Sequence, residues 1–164
     1  MKPTIIIGID PGLDGGIAEI GAKGSVFVEP MPTEKRGNKR VLRLDLVMLH
    51  LESRGDDYEE WAYIEKAQAM PSQGGVSMFN YGVGYGQLLM AIHSQDYHYE
   101  EIPPKRWQKH FGISGKKGCT KAQSIAIAKE LFPDVNLFRT PRCKKEHDGM
   151  ADSLLIAEYG RQTL

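Results

Sequence analysis

Three short apolar segments open the chain, and glycine separates each from the next. Residues 4–10 read TIIIGID and end at Pro11-Gly12, residues 17–20 follow Gly15-Gly16, and residues 25–29 follow Gly24. Runs of β-branched residues of this length, bounded by glycine turns, are typical of strands. Because so few residues connect them, these strands are predicted to form an antiparallel meander, so the fold begins from a sheet.

The rest of the chain alternates helical patterns with two further strand patterns. Predicted helices cover residues 42–53, 76–93, 104–111, 121–131 and 148–161, and predicted strands cover 61–65 and 97–102. Thr120 is the expected N-cap of the fourth helix, and the polar residues 31–39 are predicted to be a surface loop. Gly82 and Gly86 are expected to let their helix lie close to a neighbour. Helical crossovers favour parallel pairing of the last two strands. The pattern predicts a mixed α/β fold, with a central five-stranded sheet of three antiparallel strands and then two parallel ones, flanked by helices.

Length and composition exclude several protein classes. The 164 residues fit one domain spanning 1–164, and 41% hydrophobic with 26% charged residues is ordinary for a globular protein. No apolar run approaches the roughly 20 residues that cross a bilayer, so no membrane association is expected. The opening MKPTIIIGIDPG does not resemble a signal peptide, and two cysteines without metal-site spacing predict a reduced, cytoplasmic protein.

Charge is distributed unevenly although the net charge is zero. Residues 103–146 contain 11 Lys/Arg against 3 Asp/Glu, whereas the remainder contains 10 against 18. A basic segment of this kind indicates a polyanionic partner, while the acidic remainder needs a separate explanation.

Four carboxylates in the acidic remainder of the chain suggest why it is acidic. Asp10 and Glu65 each end an apolar strand, and Asp148 and Asp152 lie four residues apart, on one face of the last predicted helix. Hard oxygen donors without cysteine favour Mg²⁺ or Mn²⁺, with one or two ions in the site. Taken singly, a strand-end aspartate before Pro-Gly is more often a turn residue than a ligand, and an aspartate at a helix start is usually a cap. Only the combination raises the metal interpretation to equal standing.

The motifs IGIDPGLDGGIA, YIEKA and HDGMADSLLIAEYG, in this order, resemble the RuvC-type Holliday-junction resolvases of the ribonuclease-H-like superfamily. The resemblance covers nearly the whole chain and includes the basic stretch PPKRWQKHFGISGKKGCTKAQSIAIAKELFP. It implies a ribonuclease-H-like nuclease domain in which Asp10, Glu65 and Asp152 are catalytic metal ligands. It also implies that Lys121 lies near the cleaved phosphodiester.

One position departs from the family pattern. Members commonly have an acid or a histidine three residues before the last aspartate, where this chain has Gly149. Asp148 is one residue earlier and on the same side of the helix, so it is expected to take that role. His147 is the competing candidate, although a helix-start or phosphate-contacting histidine is the favoured interpretation.

The basic segment supplies the expected nucleic-acid contacts, since phosphate contacts provide most of the affinity of such proteins. The candidate residues are Lys105, Arg106, Lys109, Lys116, Lys117, Lys121, Arg142, Lys144 and Lys145, with Arg139 nearby. Met78, Phe79 and Tyr81 could wedge into a junction, although at helical spacing a core position is favoured for them.

The function that the resemblance implies is metal-dependent, paired nicking of four-way DNA junctions by a homodimer, leaving 5′-phosphate and 3′-hydroxyl ends. Alternatives remain open: a nuclease of the same fold acting on branched DNA or RNA–DNA hybrids, and a non-catalytic DNA-binding module. An actin-like ATPase also shares the first motif, but that fold needs two such domains, and 164 residues hold one.

Overall fold

A computed structural model describes residues 2–68, 74–115 and 119–164 of the chain. Its strands are β1 (Thr4–Asp10), β2 (Gly16–Ile20), β3 (Val26–Pro30), β4 (Thr33–Arg36), β5 (Lys39–Leu42), β6 (Glu59–Glu65) and β7 (His98–Ile102). Its helices are α1 (Leu44–His50), α2 (Gly75–Ser94), α3 (Pro104–His110), α4 (Thr120–Leu131) and α5 (Asp148–Thr163).

Five strands form the central sheet, in the order β3-β2-β1-β6-β7. β1 pairs antiparallel with β2, β2 pairs antiparallel with β3, and β1, β6 and β7 run parallel to one another. The predicted fold class is confirmed, because three antiparallel strands are indeed followed by two parallel ones. The predicted strands differ from the observed ones by one or two residues at their ends.

The sheet has an apolar layer on each face, which follows from the period of two along a strand. Ile5, Ile7 and Ile9 of β1 pack towards α1 and α2, whereas Ile6 belongs to the cluster formed with α3, α4 and α5. Gly8 faces α5 so closely that a Cβ atom placed there would lie 2.1 Å from the Ser153 carbonyl oxygen. This close approach fixes α5, and the acids at its start, against β1.

Three local predictions are wrong. Residues 31–39 were expected to be a loop, but β4 and β5 pair as a hairpin around Gly37, which adopts φ +61°. β4 is polar throughout, and β5 has only two apolar residues, Val41 and Leu42, which are adjacent. The hairpin therefore lacks the apolar alternation that reveals a strand in sequence. Cys119, not Thr120, is the N-cap of α4.

The prediction for the glycines of α2 is the third error. A Cβ atom at Gly82 or Gly86 would meet nothing within 4 Å among the described residues, so neither brings α2 close to a neighbour. The first helix is also shorter than predicted, since α1 covers only Leu44–His50. Within the described part of the chain, no helix combines the length and apolarity that a membrane span requires.

Candidate active site

Two candidate carboxylates lie side by side at one edge of the sheet. Ile9 of β1 and Ile64 of β6 are register partners in the parallel pair, and Asp10 and Glu65 are the next residue on each strand. Both strands are buried up to this point, and their last residues are half-buried. Parallel pairing therefore places the two carboxylates at the same edge, as the sequence predicted.

Helix α5 brings the other two carboxylates to this edge. A Cβ atom at Gly149 would lie 2.3 Å from the Asp14 carbonyl oxygen in the β1–β2 loop, so only glycine permits the contact. The departure from the family pattern therefore has a steric reason. A side chain at position 149 would push the start of α5 away from this loop. The expectation that Asp148 takes the role of the missing acid stays a prediction.

His147 caps α5. It is the N-cap residue, and its Nδ1 accepts a hydrogen bond from the Met150 backbone N–H at 3.2 Å. The helix-start interpretation of this histidine is the one that the geometry favours, because the capping nitrogen is directed at the helix backbone.

The four acids influence one another electrostatically. Burial, and then the charges of Asp152, Glu65 and Asp148, raise the pKa of Asp10 well above its usual range. Burial also raises the pKa of Glu65 to about 7, with a smaller contribution from Asp152. Such shifts arise when like charges share a poorly solvated site, and they are frequent at functional sites.

Asp152 is the least satisfied of the four acids. Its Oδ1 atom is buried and has no hydrogen-bond partner among residues 2–68, 74–115 and 119–164. Burial raises the pKa of Asp152 to about 6, the charge of Asp148 adds to the rise, and the Ser124 hydroxyl opposes it. A buried carboxylate oxygen without a donor is expensive, so this atom favours a cation as its partner.

Lys121 provides the positive charge at this site. Its ammonium forms an ion pair with Asp148, which raises the pKa of the lysine, and its side chain is 75% exposed. The ammonium therefore lies between the carboxylates and solvent.

The contribution of Trp107 was not predicted. Its side chain is fully buried, and the indole Nε1 donates a hydrogen bond of 2.8 Å to Glu65 Oε2. This bond lowers the pKa of Glu65 against the effect of burial. A tryptophan in the basic segment carries no chemical signature by itself, and only the docking of α3 beside the end of β6 reveals its role.

Tyr81 also lies near the carboxylates. Burial and the charges of Glu65 and Asp10 raise the pKa of its phenol to about 12. Phe79, two residues earlier, is 72% exposed, so the expected core position is wrong for this residue. The wedge hypothesis stays a prediction.

The donor set is suited to a hard divalent cation, since it consists of carboxylate oxygens and includes one buried oxygen without a partner. As the side chains stand, no three His, Cys, Asp or Glu residues of the described ranges are gathered as ligands of a single ion. The carboxylates are therefore near enough to influence one another electrostatically, but they do not form a closed set of metal ligands. Asp148 is paired with Lys121 instead.

Most candidate DNA contacts are exposed. These are Lys105, Arg106 and Lys109 on α3, and Arg142, Lys144 and Lys145 in the segment before α5. Arg106 pairs with Glu100 at 2.5 Å, and Arg139 lies 3.7 Å from Asp14 beside the site. Lys116 and Lys117 lie outside the described residues.

Comparisons with known proteins agree with this architecture. No protein-family model matches the chain. The chain is 31% identical over 99 residues, 60% of its length, to the chloroplastic Holliday junction resolvase MOC1 of Chlamydomonas reinhardtii, of which it spans only 11%.

Two solved structures match over nearly the whole chain. RuvC from Thermus thermophilus gives a TM-score of 0.54 at 16% identity, covering 96% of both chains. RuvC from the same organism in complex with a Holliday junction gives 0.54 at 14% identity, covering 98% of this chain and 96% of that one. The chain has the fold of RuvC. The resemblance to RuvC-type resolvases predicted from the sequence motifs is thereby confirmed.

Proposed function

We propose that the chain is a metal-dependent endonuclease that resolves four-way DNA junctions. The observation that supports the proposal is the position of Asp10 and Glu65 at neighbouring ends of two parallel strands. Asp148 and Asp152 of α5 lie near enough for their charges to act on Asp10, and Lys121 is paired with Asp148. Clustered acids with raised pKa values destabilise a fold, whereas together with a lysine they are suited to binding a metal and cleaving a phosphodiester. The fold of RuvC and the similarity to a junction resolvase give the substrate class.

Asp10, Glu65, Asp148 and Asp152 would hold the metal, and we propose Mg²⁺, with Mn²⁺ as a substitute and one or two ions per site. When bound, such a cation would activate a water and would stabilise the leaving oxygen. The water oxygen bonds to phosphorus, the P–O3′ bond breaks, and the 3′ oxygen takes a proton, leaving a 5′-phosphate. Lys121 lies at the solvent side of the carboxylates, where its ammonium would stabilise the charge that develops on the phosphate oxygens.

The remaining basic residues would position the DNA through its phosphates. Helix α3 follows β7 directly, so it begins at the same edge of the sheet as Asp10 and Glu65. This helix contains Lys105, Arg106 and Lys109. We include Lys116, Lys117, Arg142, Lys144 and Lys145 in the proposed DNA surface on the charge of their segment.

We propose that the protein acts as a homodimer, since paired nicking of two strands requires two sites related by a two-fold axis. Val76, Val83 and Met90 recur at seven-residue spacing along α2, and all three are exposed. An exposed apolar line of this kind is suited to a second copy of the chain. Sedimentation of Val83→Asp, compared with the wild type, tests whether this face holds the dimer together.

We further propose one nuclease domain over residues 1–164, acting in a reducing compartment. Cys119 and Cys143 are both free, which is compatible with such an environment. The chloroplast is the location of the Chlamydomonas relative, and a cytoplasmic location stays a prediction for this chain.

Cleavage of a mobile four-way junction tests the proposal. The expected result is symmetric nicking with Mg²⁺ or Mn²⁺ and none with chelator. A flap, an RNA–DNA hybrid and a plain duplex serve as competitors, and the junction should be preferred to all three. Equal cleavage of hybrid and junction would replace the proposed substrate, and full-rate cleavage in chelator would remove the metal.

A further inference from the structure

The hairpin formed by β4 and β5 concentrates positive charge outside the basic segment. Residues 33–43 contain five Lys/Arg and one acid, so they hold half of the ten basic residues that lie outside residues 103–146. This concentration is hidden in the overall charge, because the remainder of the chain is acidic.

The pairing of the hairpin opposes like charges directly. Lys35 is the register partner of Arg40, and Arg36 is the register partner of Lys39. Like charges directly opposite each other destabilise an antiparallel pair. Lys35 and Lys39 have no ion pair within the described ranges, and both are exposed. Each of the two cationic pairs therefore includes one arginine with an ion pair, Arg36 with Glu34 or Arg40 with Asp14, and one lysine without. The repulsion that remains in this hairpin of two four-residue strands would be relieved by a polyanion bound across it.

The hairpin borders a cleft of about 1290 Å³, which is also lined by Gly12, Leu13 and Asp14 of the loop that follows Asp10. Arg36 and Lys39 line one side, and Tyr81 of α2 lines the other. Gly12, two residues after Asp10, also lines the cleft, and a Cβ atom placed there would lie 3.6 Å from the Tyr81 ring. The cleft therefore extends to the loop beside Asp10.

Asp14 joins the hairpin to the basic segment. Its Oδ1 accepts from Arg40 at 2.6 Å and lies 3.7 Å from Arg139. The hairpin and the basic segment therefore meet at Asp14, in the loop that follows Asp10. A polyanion passing over the carboxylates would contact both.

We propose that the β4–β5 hairpin is a second DNA-binding element, which holds the phosphate backbone of one duplex arm beside the cleft. The inference rests on the proposed function for its substrate class. DNA is the occupant that charge complementarity favours, because a single small anion would neutralise only one of the two opposed pairs. In this arrangement the ion pairs of Arg36 with Glu34 and of Arg40 with Asp14, both near the surface, exchange with phosphate oxygens.

The test is the salt dependence of junction binding in the double variant Arg36→Gln/Lys39→Gln, measured with chelator present. Loss of two phosphate contacts should lower the slope of log Kd against log salt by about 1.8 and weaken binding on the order of 30-fold at 0.15 M salt. The variant should melt at the same or a higher temperature, because a repulsive pair is removed.

Two further variants make the result specific. Lys2→Gln/Lys23→Gln removes the same charge from exposed positions at the opposite edge of the sheet, and it should keep the wild-type slope. Arg36→Lys/Lys39→Arg keeps both charges and should bind junctions with the wild-type affinity and salt slope.

The outcomes separate this inference from the proposed function. If the wild type binds junctions and the hairpin variant has an unchanged slope, the hairpin inference is overturned and the proposed function stands. If the wild type binds no junction, the proposed function fails. In that case a reduced slope on plain duplex in the hairpin variant alone would still support the hairpin as a DNA surface.

Discussion

Replacement of Asp152 by asparagine should separate catalysis from stability. The side chains have nearly the same shape, but asparagine cannot carry the charge that the site opposes. We expect Asp152→Asn to abolish metal-dependent cleavage, retain junction binding, and raise the stability of the metal-free protein. Most substitutions of a buried polar residue destabilise a protein, so stabilisation is a distinctive result.

The magnitude follows from the pKa of Asp152, which rises from 3.8 to about 6. That difference corresponds to about 3 kcal/mol in favour of the neutral form, and solvent screening at this half-buried residue makes it an upper bound. For a chain of this size, 1 kcal/mol shifts the melting temperature by about 2–4 °C. The variant should therefore melt up to about 10 °C above the wild type at pH 8.

The pH dependence has a definite sign. Because the folded protein holds the proton of Asp152 more tightly than the unfolded chain does, wild-type stability falls as the pH rises from about 4 to about 6. Below pH 4 both states are protonated and the charge penalty vanishes. The stabilisation by Asp152→Asn should consequently be full at pH 8 and small at pH 4.

Thermal melts in chelator at pH 4, 5, 6, 7 and 8 measure this. Asp57→Asn is the matched control, because Asp57 is exposed and precedes β6 at the end opposite Glu65. Addition of Mg²⁺ should stabilise the wild type more than Asp152→Asn. A variant that melts below the wild type at pH 8, or with a difference independent of pH, would refute the electrostatic reasoning.

Three other predictions concern neighbouring contacts. Trp107→Phe keeps a buried aromatic ring and removes the N–H donor to Glu65. The variant should need more Mg²⁺ for cleavage and cleave about tenfold more slowly. A metal titration of the cleavage rate measures both effects, with Trp61→Phe as the control. Gly149→Ala should lower the free energy of unfolding by about 1–3 kcal/mol in urea, since its Cβ atom would meet the β1–β2 loop, whereas Gly84→Ala on α2 should not lower it. Lys121→Gln should reduce the single-turnover rate on the order of 100-fold while the melting temperature changes by less than about 2 °C, because its ion pair is exposed.

The sequence was sufficient for the sheet and for the position of Asp10 and Glu65 at one edge of it, because both depend on short-range rules. Glycine turns fix the antiparallel strands, helical crossovers make the later strands parallel, and parallel strands end at one edge. Asp10 and Glu65 could be assigned to that edge from their place after apolar runs. None of these inferences requires knowledge of how two distant segments pack.

Apart from errors at helix ends, such as the N-cap of α4, the features that were missed involve long-range contacts or missing periodicity. The hydrogen bond from Trp107 to Glu65 joins residues 42 positions apart, and no local pattern encodes it. The glycines of α2 matched a close-packing pattern, yet close approaches occur at other glycines, among them Gly8 and Gly149. The hairpin has no alternation of apolar residues, so its strands resembled a loop.

The hairpin and the carboxylate edge share one energetic feature, which is that each places like charges together. Lys35 lies opposite Arg40 across the hairpin, and the charges of three other acids raise the pKa of Asp10. Folding alone disfavours both arrangements, and each would be relieved by a ligand of the opposite sign. A nuclease needs both signs at once, since cations must hold the phosphates while carboxylates hold the metal beside them. The two unfavourable clusters, which adjoin through Asp14 and Tyr81, are therefore better explained together, by one bound DNA strand and its metal, than separately.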